Sequence, residues 1–162
     1  MNSDYVISCD RRRIDASFVV SALRSTYWAG DRLPEVILQS IERSLCFGAY
    51  HAGSGQVGFA RVVTDGCTFS WLCDVYVTPD HRKKGVAQRL ICAVLEHPDV
   101  CRGTVTLGTK DAHALYEKFG FVRWEHMRRP AHTPNQSMEP TVTAVTPRAD
   151  ARGAPAATVA HH

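Results

Sequence analysis

Residues 71–95 constrain the fold most, because they predict a strand, a tight turn and a helix in direct succession. β-Branched and aromatic residues recur with a period of two from Phe69 to Val77, which is typical of a buried strand. Pro79 then breaks the strand. From Val86 onward, apolar residues recur at helical spacing until Pro98. The rest of the chain is organised around these elements.

The turn that leads into this helix has the features of an anion site. The first backbone N–H groups of a helix have no partner inside it, and the helix dipole adds positive charge there. Gly85 has no Cβ, so a ligand can approach the backbone, and Ala87 is also small. These features predict a pyrophosphate cradle, with a solvated basic turn as the alternative. Neither a P-loop nor a G-x-G-x-x-G fingerprint occurs.

Two motifs carry a resemblance to a known family. Arg82-x-x-Gly85-x-Ala87, after the predicted strand, resembles [QR]-x-x-G-x-[GA], the acetyl-CoA motif of the GNAT acetyltransferase superfamily. Residues 112–121, AHALYEKFGF, resemble its A-x-x-L-Y-x-K-x-G-F segment. The two occur in the expected order with a strand-like stretch at 103–108 between them, and the resemblance covers residues 5–127.

The resemblance implies an α+β fold with a mixed sheet. An antiparallel N-terminal meander leads into a splayed parallel strand pair, and helices flank the sheet. Acetyl-CoA, as co-substrate, would bind where the two strands separate, and its arm would pair with the strand edge. The implied cofactor contacts are Val75, Tyr76, Val77, Arg82, Lys83, Lys84, Gly85, Val86, Ala87, Gln88 and Thr109. Thr109 stands where many members carry an asparagine.

The resemblance also implies direct acetyl transfer to a primary amine, with Tyr116 as the general acid. A phenol holds its proton at neutral pH and can give it to the leaving thiolate. The backbone N–H of Val75 is the candidate donor to the oxyanion. The alternative for Tyr116 is a tyrosine packed on a short helix. Some relatives that acetylate protein N-termini carry a glutamate on the preceding strand, but residues 103–108 hold no carboxylate, which argues against such a substrate.

Asp74 is the one carboxylate within the central strand and is a candidate base and acceptor ligand. Strict alternation places it on the face opposite Cys73 and Val75. Its alternative role is structural, with bonds to nearby backbone groups or Tyr76. Asp111 is a weaker candidate base, since it is better explained as a helix cap.

The pattern elsewhere predicts the remaining elements. Asp15 is predicted to cap a first helix, and Pro34 to open a second. Tyr27 and Trp28, in the loop between them, are predicted to line the acceptor pocket beside Asp31 and Arg32, or else to cover the core edge. Arg61 either faces the acceptor or lies on a solvated strand face. The further predicted strands are 5–9, 45–51, 56–64, 100–108 and 121–127, with a helix at 112–119 that ends at Gly120.

Composition bounds the domain organisation. The chain of 162 residues is long enough for one domain, predicted at 1–128. Residues 129–162 are rich in Pro, Ala and Thr and are predicted to be disordered. No apolar run is long enough to span a membrane, and the N-terminus lacks the order of a signal peptide, so a cytoplasmic protein is expected.

Charge and metal-ligand spacing exclude several function classes. The net charge of +3 favours anionic small partners but is too low for a nucleic-acid-binding face. The six cysteines form no C-x-x-C and predict free core thiols, and the eight histidines form no ligand motif, so no metal site is predicted.

Two other functions stay open. One is a non-catalytic acyl-CoA-binding regulatory module on the same fold. The other is a toxin-like acetyltransferase acting on charged tRNA, against which the modest charge argues. The acceptor stays open, and so does the oligomeric state, although the resemblance makes a homodimer an alternative to a monomer.

Overall fold

The computed structural model describes residues 4–129. Contacts between Cα atoms group Met1–Val122 into one compact unit and separate it from the residues that follow. Within that later part, residues 123–129 form no helix or strand, and their side chains are exposed. The predicted disordered tail lies outside the described residues, apart from Arg129.

The described chain contains five strands, four α-helices and two 3₁₀ turns. The strands are β1 (Tyr5–Ser8), β2 (Leu45–His51), β3 (Gly55–Thr64), β4 (Phe69–Val77) and β5 (Thr104–Leu107). The helices are α1 (Ala16–Arg24), α2 (Pro34–Glu42), α3 (Val86–Glu96) and α4 (His113–Glu117), with single 3₁₀ turns at Arg11–Arg13 and Pro79–His81. As predicted, the Asp15 carboxylate caps α1, since it accepts from Phe18 N at 3.0 Å, and Pro34 opens α2.

The strands form one mixed sheet in the order β1-β2-β3-β4-β5. The first four strands pair antiparallel, and β5 pairs parallel to β4. This confirms the predicted meander and parallel pair. The parallel pairing runs only from Phe69↔Thr104 to Leu72↔Leu107, whereas β4 continues to Val77. The two strands therefore separate beyond Leu72 and leave one edge of β4 open.

Two apolar clusters cover the two faces of the sheet. Gly58, Ala60 and Val62 of β3 lie on the face that packs against α3, where a Cβ on Gly58 would stand 3.2 Å from Leu90 Cδ1. Phe59 lies on the other face with residues from α1 and α2. The core on the α3 side includes Val86, Leu90, Ile91 and Val94, and the core on the opposite side includes Val19, Leu23, Ile37 and Ile41.

A β-bulge interrupts β4 at Asp74. Arg61 opposes Cys73 and Phe59 opposes Tyr76, so Asp74 and Val75 together face one residue of β3. Asp74 has a φ of 55°, in the left-handed region that aspartate tolerates better than most residues. Strict alternation would place Asp74 on the α3 face with Leu72. The extra residue turns it to the face of Phe59 instead, so the prediction was right relative to Val75, which packs on the α3 side, and wrong relative to Cys73.

Several other boundaries and environments differ from expectation. Residues 121–127 form no strand, because Val122, Trp124 and Met127 remain 78%, 83% and 100% exposed and bury no apolar face. β5 starts at Thr104 rather than residue 100, since Val100 is already buried in the turn after α3. Four of the six free cysteines are exposed, namely Cys9, Cys67, Cys92 and Cys101.

Candidate functional site

The open edge of β4 is the first part of the site. Beyond Leu72, the segment that contains Val75, Tyr76 and Val77 has no strand partner on the β5 side among the described residues. Arg82 Nε donates to the Val77 carbonyl at 3.0 Å, and its guanidinium carbon lies 5.9 Å from the Tyr76 ring centroid. Arg82 therefore secures the end of the strand, a positioning role that the motif alone did not reveal.

The loop after β4 presents a row of free amides. Lys83 and Gly85 have φ values of 60° and 79°, which turn the backbone sharply into α3. The backbone N–H groups of Lys83, Lys84, Gly85, Val86, Ala87 and Gln88 donate to no group in the described chain. Consecutive free amides at a helix N-terminus form a concave anion site.

The space above this row of amides is open. A Cβ built on Gly85 would meet no atom within 4 Å, so the cradle has room for a bound group. Lys83 and Lys84 are exposed beside it and add positive charge. Two buried polar atoms on the flanking elements also lack partners within the described part, Thr78 Oγ1 after β4 and Arg89 Nη1 on α3. The donor set suits a diphosphate, as the resemblance implies for acetyl-CoA.

Tyr116 lies on α4 with its side chain largely buried. Burial raises the pKa of its phenol to about 12, and the charges of Asp111 and Tyr27 act in the same direction. Its ring meets Phe121 edge to face at 5.7 Å, and within the described residues its hydroxyl has no hydrogen-bond partner. The phenol is therefore neutral at pH 7, and its proton is available.

At the start of α4, Thr109 closes the turn that Asp111 was predicted to cap. Thr109 Oγ1 accepts a hydrogen bond from Ala112 N at 3.0 Å, so Thr109 closes the turn that begins the helix. Asp111 does not cap the helix. Its Oδ1 accepts from the Tyr27 hydroxyl at 3.3 Å instead. Asp111 was expected to bond locally, but its partner comes from the α1–α2 loop. Gly120 has the predicted positive φ, 81°, but α4 ends at Glu117 with Lys118 as its C-cap, two residues earlier than the predicted end at Phe119.

The loop at residues 25–33, between α1 and α2, places two aromatic side chains at the surface. Tyr27 and Trp28 are 60% and 42% exposed, and their rings meet at 4.9 Å. Lys110 Nζ lies 5.4 Å from the Tyr27 ring centroid. The loop thus brings Tyr27 beside the residues that follow β5, as an acceptor pocket there would require. Whether these rings contact an acceptor stays a prediction.

Asp74 forms a buried ion-pair network at the bulge, and its side chain is only 1% exposed. Arg32 Nη1 donates to both carboxylate oxygens at 2.9 and 2.8 Å. Arg61 Nε donates to Oδ2 at 2.8 Å, while its Nη1 donates to Ser44 Oγ at 3.1 Å. The sequence left Asp74 open between a base and a structural aspartate, and this geometry supports the structural role.

The arginine partners of Asp74 were not predicted from the sequence. Arg61 was expected on a solvated strand face or facing the acceptor, yet its side chain is only 13% exposed. Burial lowers the pKa of Arg61, but the nearby Cys73 and Asp74 outweigh that effect and raise it. The available signal was an aspartate inside an apolar strand, because a buried carboxylate requires cationic partners.

Two cysteines near this network, the buried Cys46 and the partly buried Cys73, are neutral thiols. Burial raises the pKa of Cys73 to about 12 and that of Cys46 to about 11. Cys73 Sγ donates to the Arg61 carbonyl at 3.4 Å. Since the thiolate is the nucleophile, neither group is poised for covalent chemistry at neutral pH.

The described residues give neither a metal cluster nor a membrane helix. Over residues 4–129, no three His, Cys, Asp or Glu side chains come together in a way that could hold a metal ion. Over the same range, no helix has the length and apolar character needed to cross a bilayer.

Comparison with known proteins identifies the family. Residues 42–123 match the family model described as the acetyltransferase (GNAT) domain. A Gibberella zeae protein named as an acetyltransferase is 34% identical over 101 residues, and the match spans 51% of this chain and 57% of that relative. The chain thus covers little more than half the length of this curated relative.

Solved structures agree with the family model. A GNAT-family protein from Xanthomonas campestris pv. campestris is 37% identical, with a TM-score of 0.74, over 80% of this chain and 94% of that one. A Deinococcus radiodurans protein shares the fold at 19% identity, with a TM-score of 0.65, over 79% and 89% of the two chains. From the matched domain and the first of these structures, the chain belongs to the GNAT acetyltransferase family.

Proposed function

We propose that the protein is an acetyl-CoA-dependent N-acetyltransferase that transfers the acetyl group directly to a primary amine. One observation carries the proposal: the free amides from Lys83 to Gln88 adjoin the open edge of β4, with a neutral phenol on α4. An anion cradle beside an unpaired strand edge suits a ligand that has a diphosphate and an amide-containing arm.

The cofactor-binding residues divide by the part of the ligand that they would hold. The amides of Lys83 to Gln88 would bind the diphosphate, and the open backbone edge at Val75 and Val77 would pair with the arm. Arg82 already bonds the Val77 carbonyl, so we infer that it fixes the strand edge rather than the diphosphate. Bound acetyl-CoA supplies an activated thioester, and the N–H of Val75 is the candidate donor to the oxyanion.

Tyr116 would assist departure of the thiolate. A phenol with a pKa of about 12 remains protonated throughout the neutral range. Because an ordinary thiol has a lower pKa, about 8.5, Tyr116 acts first as a hydrogen-bond donor that stabilises the developing thiolate. The ammonium acceptor loses two protons on forming the amide. The base takes one and passes it to water, and the other reaches the thiolate, so the products are the amide, the free thiol and one released proton.

The base is better assigned to Asp111 than to Asp74. Asp74 receives three hydrogen bonds from two guanidinium groups, so its charge is committed to holding the loop. Asp111 accepts only from the exposed Tyr27 hydroxyl, and its charge helps to raise the pKa of Tyr116. We propose that Asp111 accepts the ammonium proton, directly or through water.

A direct transfer also agrees with the chemistry of the nearby thiols. A covalent acetyl-enzyme would need a reactive thiolate, but the Cys73 thiol at the bulge has its pKa raised to about 12 by burial. Because Cys73 is not a ready nucleophile, direct attack of the amine on the thioester is favoured over an acetyl-cysteine intermediate at this position.

The test is thiol release from acetyl-CoA in the presence of a broad amine panel. Release that depends on an amine, with the acetylated product identified by mass spectrometry, would support the proposal. Binding of acetyl-CoA without release for any amine would instead indicate a non-catalytic acyl-CoA-binding module. Absence of both a thermal shift and binding heat with acetyl-CoA would contradict the cradle itself.

A further inference from the structure

The ion-pair network at Asp74 contains one more positive than negative charge. Two guanidinium groups, of Arg32 and Arg61, share a single carboxylate. Asp31 is adjacent in sequence to Arg32 but forms no ion pair with it. A partly buried surplus charge is costly until an anion pairs with it. The network can therefore accept a further anionic group.

Most of the free donors of this network belong to Arg32, and Arg61 leaves only Nη2 without a partner in the described chain. Arg61 uses Nε for Asp74 and Nη1 for Ser44, and its side chain is only 13% exposed. Arg32 uses a single nitrogen, Nη1, for both carboxylate oxygens. Its Nε and Nη2 donate to nothing in the described chain, and its side chain is 32% exposed. One edge of the Arg32 guanidinium is thus left for a ligand.

The loop at residues 25–33 places this edge beside the opening between β4 and β5. Arg32 fixes the loop to the β4 bulge, and Tyr27 fixes it to Asp111, which follows β5. One anchor lies on β4, and the other lies in the loop that follows β5. Tyr27 and Asp111 are also close enough to Tyr116 to raise its pKa. An acceptor whose amine reaches the opening between β4 and β5 would therefore contact the loop at residues 25–33.

We propose that the acceptor is an amine that also carries a carboxylate, as an amino acid does, and that the free edge of Arg32 binds this carboxylate. The inference rests on the proposed function. A guanidinium presents two parallel donors that match two oxygens, whereas a lysine ammonium does not. The exposed rings of Tyr27 and Trp28 would contact an apolar side chain on the same molecule. Polyamines would be poor acceptors, because the surplus charge repels them.

The test compares matched acceptors that differ in one group. Phenylalanine is compared with phenethylamine, and O-phosphoethanolamine with ethanolamine, by kcat/KM for thiol release at saturating acetyl-CoA. Phenylalanine is expected to exceed phenethylamine by about ten- to a hundredfold, mainly through KM. A comparable preference for O-phosphoethanolamine over ethanolamine, without one for phenylalanine, would move the ligand class to phosphates and overturn the carboxylate assignment.

Arg32→Lys and Arg32→Gln are the informative variants. Lysine keeps the charge opposite Asp74 but removes the planar pair of donors, so the ratio of kcat/KM for phenylalanine to that for phenethylamine should fall about tenfold. Arg43→Gln is the matched control, since Arg43 is exposed and forms no ion pair in the described chain. Melting temperatures identify any variant that fails to fold, in which case the lysine variant decides.

The outcomes separate this inference from the proposed function. If amines are acetylated but the matched pairs react equally, or if Arg32→Lys keeps the full preference, the carboxylate site is wrong and the acetyltransferase remains. If acetyl-CoA binds and no amine of the panel releases thiol, the proposed function fails and the acceptor assignment fails with it.

Discussion

Arg32 Nη1 lies 2.9 Å from Asp74 Oδ1 and 2.8 Å from Oδ2, and it joins the α1–α2 loop to the β4 bulge. The contact explains why an aspartate occupies a left-handed position inside an apolar strand. The bulge turns the carboxylate away from the α3 core. The loop supplies a cation that offsets the desolvation cost of burying it. The same contact sets the position of the loop beside the open strand edge.

Asp74→Asn should destabilise the fold. Asparagine tolerates the φ of 55° as aspartate does, so the change isolates the charge and leaves two guanidinium groups without an anion. We expect a loss of about 2–3 kcal/mol in the free energy of unfolding, measured by urea denaturation. Asp10→Asn is the control, because the Asp10–Arg12 pair is exposed and screened by solvent, so its loss should change the stability little. Equal free energies of unfolding for Asp74→Asn and the wild type would mean that the ion pairs of Asp74 do not stabilise the fold.

Gly85→Ala should weaken acetyl-CoA binding. The loss of binding free energy should exceed what the small loss in the free energy of unfolding can explain. The φ of 79° strains any alanine there by about 1 kcal/mol, and the new Cβ would enter the open space above the free amides. We expect at least about a tenfold rise in Kd by calorimetry.

Gly55→Ala provides a matched control for the cradle. Gly55 has a φ of 69°, and a Cβ on it also meets nothing within 4 Å, but it lies in the β2–β3 hairpin. Both variants should lose similar stability, while only Gly85→Ala should lose affinity. If the two bound acetyl-CoA alike, the diphosphate would lie elsewhere.

Tyr116→Phe should lower kcat while the Kd for acetyl-CoA stays near the wild-type value. Removing a donor that acts on the thiolate affects the transition state more than the ground state, and about a hundredfold loss is expected. Because burial raises the pKa of Tyr116 to about 12, its proton is kept as pH rises through 9 and 10 and is lost only toward 12. Wild-type kcat should therefore show no fall from this group below about pH 10.

Tyr50→Phe is the control for the loss of a hydroxyl. The Tyr50 hydroxyl donates to the Arg13 carbonyl on another part of the chain, so kcat should stay within about twofold of the wild type. An unchanged kcat for Tyr116→Phe, in a regime where single-turnover rates show that chemistry is limiting, would leave the acid unassigned.

The parts of the site that were predictable from sequence are those fixed by short-range geometry. The row of free amides at the start of α3 depends on residues within one turn of each other, so Gly85 and the helical spacing after it were enough to predict it. The positive φ of Gly120 followed in the same way, although α4 ends earlier, at Glu117. The separation of β4 and β5 came from the family resemblance, since no local pattern states how far two strands pair.

The parts that were missed depend on residues far apart in the chain. Periodicity does not reveal a bulge, so it placed Asp74 opposite Cys73, although the two share a face, and it hid the pairing with Arg32. Asp111 has the spacing of a cap, but a tertiary contact with Tyr27 takes its carboxylate. Residues 121–127 have strand-forming side chains, but strand formation also requires a neighbouring edge, which periodicity cannot supply.

Cys73→Ala should leave the acetyl transfer intact and flatten the alkaline stability profile. Burial raises the pKa of this thiol from about 9 to about 12, so the folded state disfavours the thiolate. Its contribution is complete below pH 9, where the thiol is neutral in both states, and is lost as pH rises toward 12. The wild type should therefore lose stability from pH 9 to 11 more steeply than Cys73→Ala, by urea denaturation at each pH.

The same variant tests whether Cys73 takes part in the acetyl transfer. Since a neutral thiol is a poor nucleophile, kcat of Cys73→Ala should fall less than about threefold, and double-reciprocal initial-rate plots for the two substrates should intersect. Parallel plots, together with an inactive Cys73→Ala that still binds acetyl-CoA, would instead require an acetyl-cysteine intermediate.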